Sequence, residues 1–161
     1  MLKPVFSFLA VALMTLATGC AVQLVQPGAS QEEVVSRYGP PSRVVALASG
    51  SRLQYSRQPA GQSAVMVDLD AAGKVISARQ VMKLNEFLKI EPLRWTREAV
   101  EQEFGRPATV DRVASWSGDI MTYRWLDADQ SMFFWVYLDG NNVVQRTSQG
   151  MEFIGRRFEN L

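Results

Sequence analysis

The stretch SQEEVVSRYGPPSRV, residues 30–44, returns later in the chain as TREAVEQEFGRPATV, residues 96–110. This internal repeat decides the reading of the fold. Each matching position has a physical reason. The hydroxyls of Ser30 and Thr96 can accept from the free backbone N–H groups of a helix start. Glu33 completes a capping box with Ser30, whereas the second copy has Ala99 in that place. Glu32 and Glu98 put negative charge in the first turn, where the helix dipole favours it. Val34 with Tyr38, and Val100 with Phe104, lie four apart and so share one helix face. Gly39 and Gly105 permit the left-handed conformation that ends a helix, and Pro41 and Pro107 stop it from continuing.

After each helix the apolar period changes from helical to two. Strands are expected at 42–47, 52–57, 63–69 and 74–81 in the first copy. In the second they are expected at 109–114, 120–126, 132–138 and 143–148. Ser49-Gly50, Pro59-Ala60-Gly61, Asp70 to Gly73, Ser117-Gly118 and Asp139 to Asn142 supply turn chemistry between them. Strands joined by such short loops run antiparallel. Between the copies, residues 84–90 form a short helix that stops before Pro92. The fold class is α+β: two tandem units, each a short helix or helical hairpin packed on an antiparallel sheet of three to four strands.

The N-terminus reads as a targeting segment. Lys3 supplies a basic start, and residues 5–16 are apolar apart from Ser7 and Thr15. The run is shorter than the roughly 20 residues that span a bilayer. The string Leu16-Ala17-Thr18-Gly19-Cys20 resembles the lipobox of bacterial lipoproteins. That resemblance implies a diacylglyceryl group on the Cys20 sulfur, cleavage before Cys20, and acylation of the new amine, with palmitate for example. The other reading is an ordinary signal peptide that leaves Cys20 as a free thiol, a liability in an oxidising compartment. Ala21 and Val22 include no aspartate after the cysteine, which by resemblance to enterobacterial lipoproteins points to the outer membrane. The chain then divides into a signal peptide 1–19, a lipidated tether 20–29, a first unit 30–82, a second unit 83–150 and a tail 151–161.

Composition bounds the function. Lys and Arg number 17, Asp and Glu 16, and Lys3 lies in the signal, so the remainder is neutral and nothing points to nucleic acid as partner. There is no histidine and one cysteine, so no disulfide within the chain, no imidazole base and no histidine-ligated metal. Asp68 with Asp70, and Asp127 with Asp129, sit at strand ends before turns, where a solvated turn role outweighs acid–base chemistry. No enzyme, metal site or cofactor is expected.

The repeated helix motif, the strand VMVDLDAAGKV at 65–75 and the stretch QVMKLNEFLKIEPLRWTREAV at 80–100 resemble the SmpA/OmlA (BamE-like) lipoprotein family. Leu93-Arg94-Trp95 stands where that family carries a glycine before the capped helix. The tandem layout is similar to that of the β-lactamase inhibitory protein. The resemblance implies an outer-membrane lipoprotein that supports assembly or integrity of the envelope through protein contacts.

The two sheets differ in one respect. Val65, Val67 and Leu69 align with Phe134, Val136 and Leu138, and these six are expected to face the helices. The opposite face holds Ala64, Met66 and Asp68 in the first copy but Phe133, Trp135 and Tyr137 in the second. Tyr123 and Trp125 alternate on the neighbouring strand and are expected on that same outer face. These five aromatics are either core, packed against the first copy or the tail, or a partner site, since Trp and Tyr are enriched in binding hot spots. The functional expectation is a lipid-anchored, periplasm-facing, non-enzymatic protein-binding adaptor. The alternative is an inhibitor of an envelope hydrolase, with residues 59–62 and 127–130 as the loops able to enter a cleft.

Overall fold

The structure is a computed structural model, and it describes residues 24–153. The expected signal peptide, Cys20 and the end of the tail lie outside the described residues. Among the described residues the chain forms two four-stranded antiparallel sheets and three short helices, an α+β arrangement with two sheet units. The first unit contains α1 (Gln31–Tyr38), β1 (Arg43–Leu47), β2 (Gly50–Ser56), β3 (Ala64–Asp70) and β4 (Val75–Gln80). The second contains α2 (Leu84–Phe87), α3 (Arg97–Phe104), β5 (Thr109–Asp111), β6 (Ile120–Asp127), β7 (Gln130–Leu138) and β8 (Val144–Met151). Both sheets are simple meanders, ordered β1-β2-β3-β4 and β5-β6-β7-β8.

The helix ends follow their local chemistry. The Ser30 side chain accepts from Glu33 N–H, and the Glu33 carboxylate accepts from Ser30 N–H at 2.7 Å, a complete capping box. Thr96 accepts from Ala99 N–H alone. Gly39 and Gly105 end the helices, but not in the left-handed helical region. Their φ/ψ values of 79°/−167° and 79°/−172° lie in a region that essentially only glycine occupies. The strand ends shift by a few residues from expectation. β5 stops at Asp111, and the next residue, Arg112, pairs through its side chain with Asp119 at 2.5 Å.

The first sheet is buried on both sides. On one side Leu53, Val65, Val67, Leu69 and Val75 share a core with Val34 of α1 and with Val25. On the other side Ala64 and Met66 join Phe87, Val100 and Phe104 of the second unit's helices. That second core continues into Met121, Tyr123, Phe134, Val136 and Leu138 of the second sheet. The residues of α3 therefore touch both sheets.

Polar groups fasten this contact. The buried Gln54 amide donates to the carbonyls of Glu101 (2.9 Å) and Gln102 (3.0 Å) in the last turn of α3, where the Glu101 carbonyl also accepts from Gly105 N–H. Arg52, also buried, reaches the Gln102 carbonyl at 3.1 Å and pairs with Glu103 at 2.5 Å. It is bidentate on Asp68, with bonds of 2.6 and 3.0 Å. Arg79 extends the network to Glu103 and Glu86. Asp68 is thus an ion-pair partner, not the solvated turn residue expected; Asp70 has the turn role, accepting from Ala72 and Lys74 N–H at 2.9 Å. Burial pushes the Asp68 carboxyl up, but the Arg52 guanidinium and the Ser77 hydroxyl outweigh it and hold it below the usual carboxylate range.

Two predictions follow from this framework. Leu93 holds φ 65° on an exposed side chain, a conformation that disfavours every residue but glycine. Leu93→Gly should raise stability in urea by up to about 1 kcal/mol, while Gly105→Ala should lower it by about 1–3 kcal/mol. The lowered pKa of Asp68 gives a stability contribution that is full above the unfolded value near 4 and is lost as pH falls below it. Thermal melts between about pH 5 and about pH 2 should therefore fall more steeply for the wild type than for Asp68→Asn.

Candidate functional site

The candidate site is the face of the second sheet that points away from α3. Pairing registers decide its membership, because residues directly opposed across an antiparallel pair share a face. Tyr123 opposes Phe134, Trp125 opposes Met132 and Met121 opposes Val136. Tyr123 and Trp125 therefore lie on the core side, at 0% and 2% exposure, and their expected place on an outer partner surface is corrected. The Tyr123 hydroxyl donates to the Gly105 carbonyl at 2.8 Å, so it also ties the sheet to the end of α3. Burial holds its phenol well above the ordinary tyrosine value.

Phe133, Trp135 and Tyr137 are on the outer face, opposite Arg124, Thr122 and Ile120. All three are half-buried. The Trp135 indole lies against Gly150 of β8, where a Cβ would come within 2.9 Å of Cη2. Any larger residue at Gly150 displaces the ring. Phe133 packs beside it, with ring centroids 5.8 Å apart. At the other end Tyr137 meets Trp116 edge-on at 5.3 Å, and the Arg146 guanidinium lies over the Tyr137 ring at 3.6 Å. The Trp116 indole N–H donates to the Leu138 carbonyl at 2.7 Å, which fixes that loop residue to the strand end. A groove of about 320 Å³ runs between Trp135, Phe133 and Pro59. Trp116 and Arg146 went unread in the sequence: one lies in a loop and the other on an edge strand, and only the folded sheet brings them to Tyr137.

The loop between β2 and β3 closes one end of this face. The Gln58 side-chain amide donates to the Arg124 carbonyl at 2.6 Å and accepts from Arg124 N–H at 3.2 Å. It occupies the backbone groups that a further strand would pair. The Arg124 guanidinium binds the Pro59 carbonyl at 2.6 Å and Glu152 at 2.8 Å, and Gln62 also reaches Glu152. The 59–62 segment is therefore tied to the second sheet. The 127–130 segment is a tight turn, with Asp127 paired to Gln130.

No protein-family model matches the chain, and no curated protein matches it. Among solved structures, it has a likeness to a DUF4309 family protein (YjgB) from Bacillus subtilis, at 14% identity and a TM-score of 0.33, covering 76% of this chain and 78% of that one. That likeness is too slight to bear on fold or function.

The two faces of β7 and β6 should respond differently to truncation. Tyr123→Ser should cost about 3–5 kcal/mol in denaturant unfolding, as for a buried aromatic. Trp135→Ser should cost less than half as much, measured in the same way.

Proposed function

We propose that the protein is a lipid-anchored lipoprotein of the outer membrane, facing the periplasm, that acts as a non-enzymatic adaptor. In this reading Cys20 carries the lipid and the outer face of the second sheet binds a protein partner. The observation that carries it is the comparison of that face with its counterpart. In the first sheet, Ala64, Met66 and Asp68 meet the helices of the second unit or the arginine that holds them. The same positions in the second sheet are Phe133, Trp135 and Tyr137, and none of the three helices among the described residues shares a core with them. Sheet faces of this kind bind a helix, and aromatic residues half-exposed around a groove suit an apolar partner surface. Arg146 is exposed at the rim with no carboxylate partner among the described residues, so an acidic flank on the partner would complement it. By resemblance to the SmpA/OmlA family, the adaptor serves outer-membrane protein assembly or envelope integrity.

The test is cross-linking in membranes, followed by mass identification of the recovered proteins. The double variant Trp135→Ser/Tyr137→Ser should stay folded and membrane-bound yet recover at least about thirtyfold less partner, since a hot-spot aromatic contributes 2 kcal/mol or more. Undiminished recovery would remove this face from the partner site.

A further inference from the structure

The turn between β2 and β3 sets a cation where the second unit has a buried ring. Tyr55 opposes Val65 across its strand pair as Tyr123 opposes Phe134, and Arg57 follows Tyr55 by two residues as Trp125 follows Tyr123. Trp125 is 2% exposed and meets Phe87 edge-on, with ring centroids 6.2 Å apart. Arg57 is exposed, and its guanidinium has neither a hydrogen bond nor a carboxylate partner among the described residues. Its stem is held all the same. Gly61 N–H donates to the Arg57 carbonyl at 2.6 Å, and a Cβ on Gly61 would come within 2.8 Å of the Arg57 Cβ.

Two cavities, of about 640 and 420 Å³, meet at this arginine and share Ser56, Ser63 and Gln80 in their walls. The smaller has an apolar wall of Pro40, Val65 and the rings of Tyr38 and Tyr55, whose centroids are 5.2 Å apart. The larger adds Lys83, whose ammonium also has no carboxylate partner among the described residues. Gln80 contributes a donor. Its Oε1 accepts from Ala64 N–H at 3.3 Å and from Met82 N–H at 2.8 Å, which fixes the amide and leaves Nε2 without an acceptor among the described residues. The Ser63 hydroxyl is unpaired in the same sense. No described aspartate or glutamate lines either cavity. The cleft therefore presents two cations and a set of donors, with no negative charge to balance them.

We propose that this cleft binds an organic carboxylate that carries an apolar group. The planar fork of the Arg57 guanidinium matches a carboxylate in geometry and charge. Gln80 Nε2 and the Ser63 hydroxyl supply further donors, and Lys83 supplies the second charge. The wall of Tyr38, Tyr55 and Val65 takes the apolar group. Both volumes lie in the range of small-molecule sites. A free acid and the C-terminal residue of a peptide present this same chemistry, and the test separates them. The inference stands independently of the partner face.

The test titrates the full chain in a nonionic detergent with 3-phenylpropanoate, its uncharged amide and the peptide Gly-Gly-Phe, following backbone amide shifts by NMR. The acid should bind saturably, with a Kd of about 1 mM or lower, and shift the amides of Arg57, Ser63 and Gln80. The uncharged amide should bind at least about tenfold more weakly. Tighter binding of the peptide than of the acid supports the site and assigns it to a chain terminus; the reverse order supports it with a free acid. Arg57→Gln should leave the melting temperature unchanged, because the guanidinium has no partner to lose, and should weaken binding about tenfold. Gln80→Glu keeps an acceptor for Ala64 and Met82 N–H but sets a negative charge in the cleft, and should abolish binding. Lys74→Gln, an exposed cation outside the cleft, should leave the affinity unchanged. Absence of binding, equal affinity for acid and amide, or an unchanged affinity in Arg57→Gln would each overturn the proposal. So would shifts centred on Trp135 and Tyr137 instead of Ser63 and Gln80.

Discussion

A buried guanidinium is the constraint on which the rest of the architecture depends. Arg52 sits in the middle of a sheet face, with a side chain only 8% exposed, and a charge there is tolerable only if it is paired and hydrogen-bonded. Asp68 takes two of its five N–H groups, and the Gln102 carbonyl and Glu103 take two more. The last two partners belong to α3. The first sheet therefore cannot satisfy its own central charge without the second unit's helix. Gln54 adds the same dependence from the other direction, because it supplies donors that the end of α3 lacks. The apolar contact through Ala64, Met66 and Phe104 supplies burial, and the polar groups restrict the docking to one orientation.

The two units share a backbone plan and differ in what they do with it. Helix cap, glycine stop and the aspartate turn recur with the same bonds: Asp139 accepts from Asn141 and Val143 N–H as Asp70 does from Ala72 and Lys74. The positions that face away from the unit's own helix have diverged. Arg52 and Gln54 become Ile120 and Thr122, and Met66 and Asp68 become Trp135 and Tyr137. A face built to satisfy the end of a helix has become an aromatic one whose cation, Arg146, lies on a ring instead of on a carboxylate. The duplication leaves one such face closed inside the molecule and one at its surface, and the latter is the face assigned to a partner in the proposed function.

A similar asymmetry appears on the helix side. Phe87 completes an aromatic cluster with Phe104, Tyr123, Trp125 and Phe134, whereas the first unit offers two tyrosines, an arginine and a valine around open space. The second unit has a preceding helix to draw on.

The sequence by itself determined the local elements: both capped helices, the glycine stops, eight strands near their observed places and the antiparallel sense of each sheet. These signals act within a few residues, through hydrogen bonds from cap to first turn, the steric demands of glycine and proline, and the alternation of side chains along a strand. It also separated Phe134, Val136 and Leu138 from Phe133, Trp135 and Tyr137, because neighbours on one strand must face opposite ways. Tertiary structure alone decided which residues of β6 join each set. The turn at Ala128 and Asp129 carries no asparagine–glycine pair to announce its length, and Ala128 takes φ 50° without a glycine's help. That two-residue turn sets Tyr123 against Phe134 and so turns Tyr123 and Trp125 inward. Tertiary structure also decided that Asp68 serves Arg52 and that Arg52 serves α3, since these partners lie up to 51 residues apart and no local pattern links them.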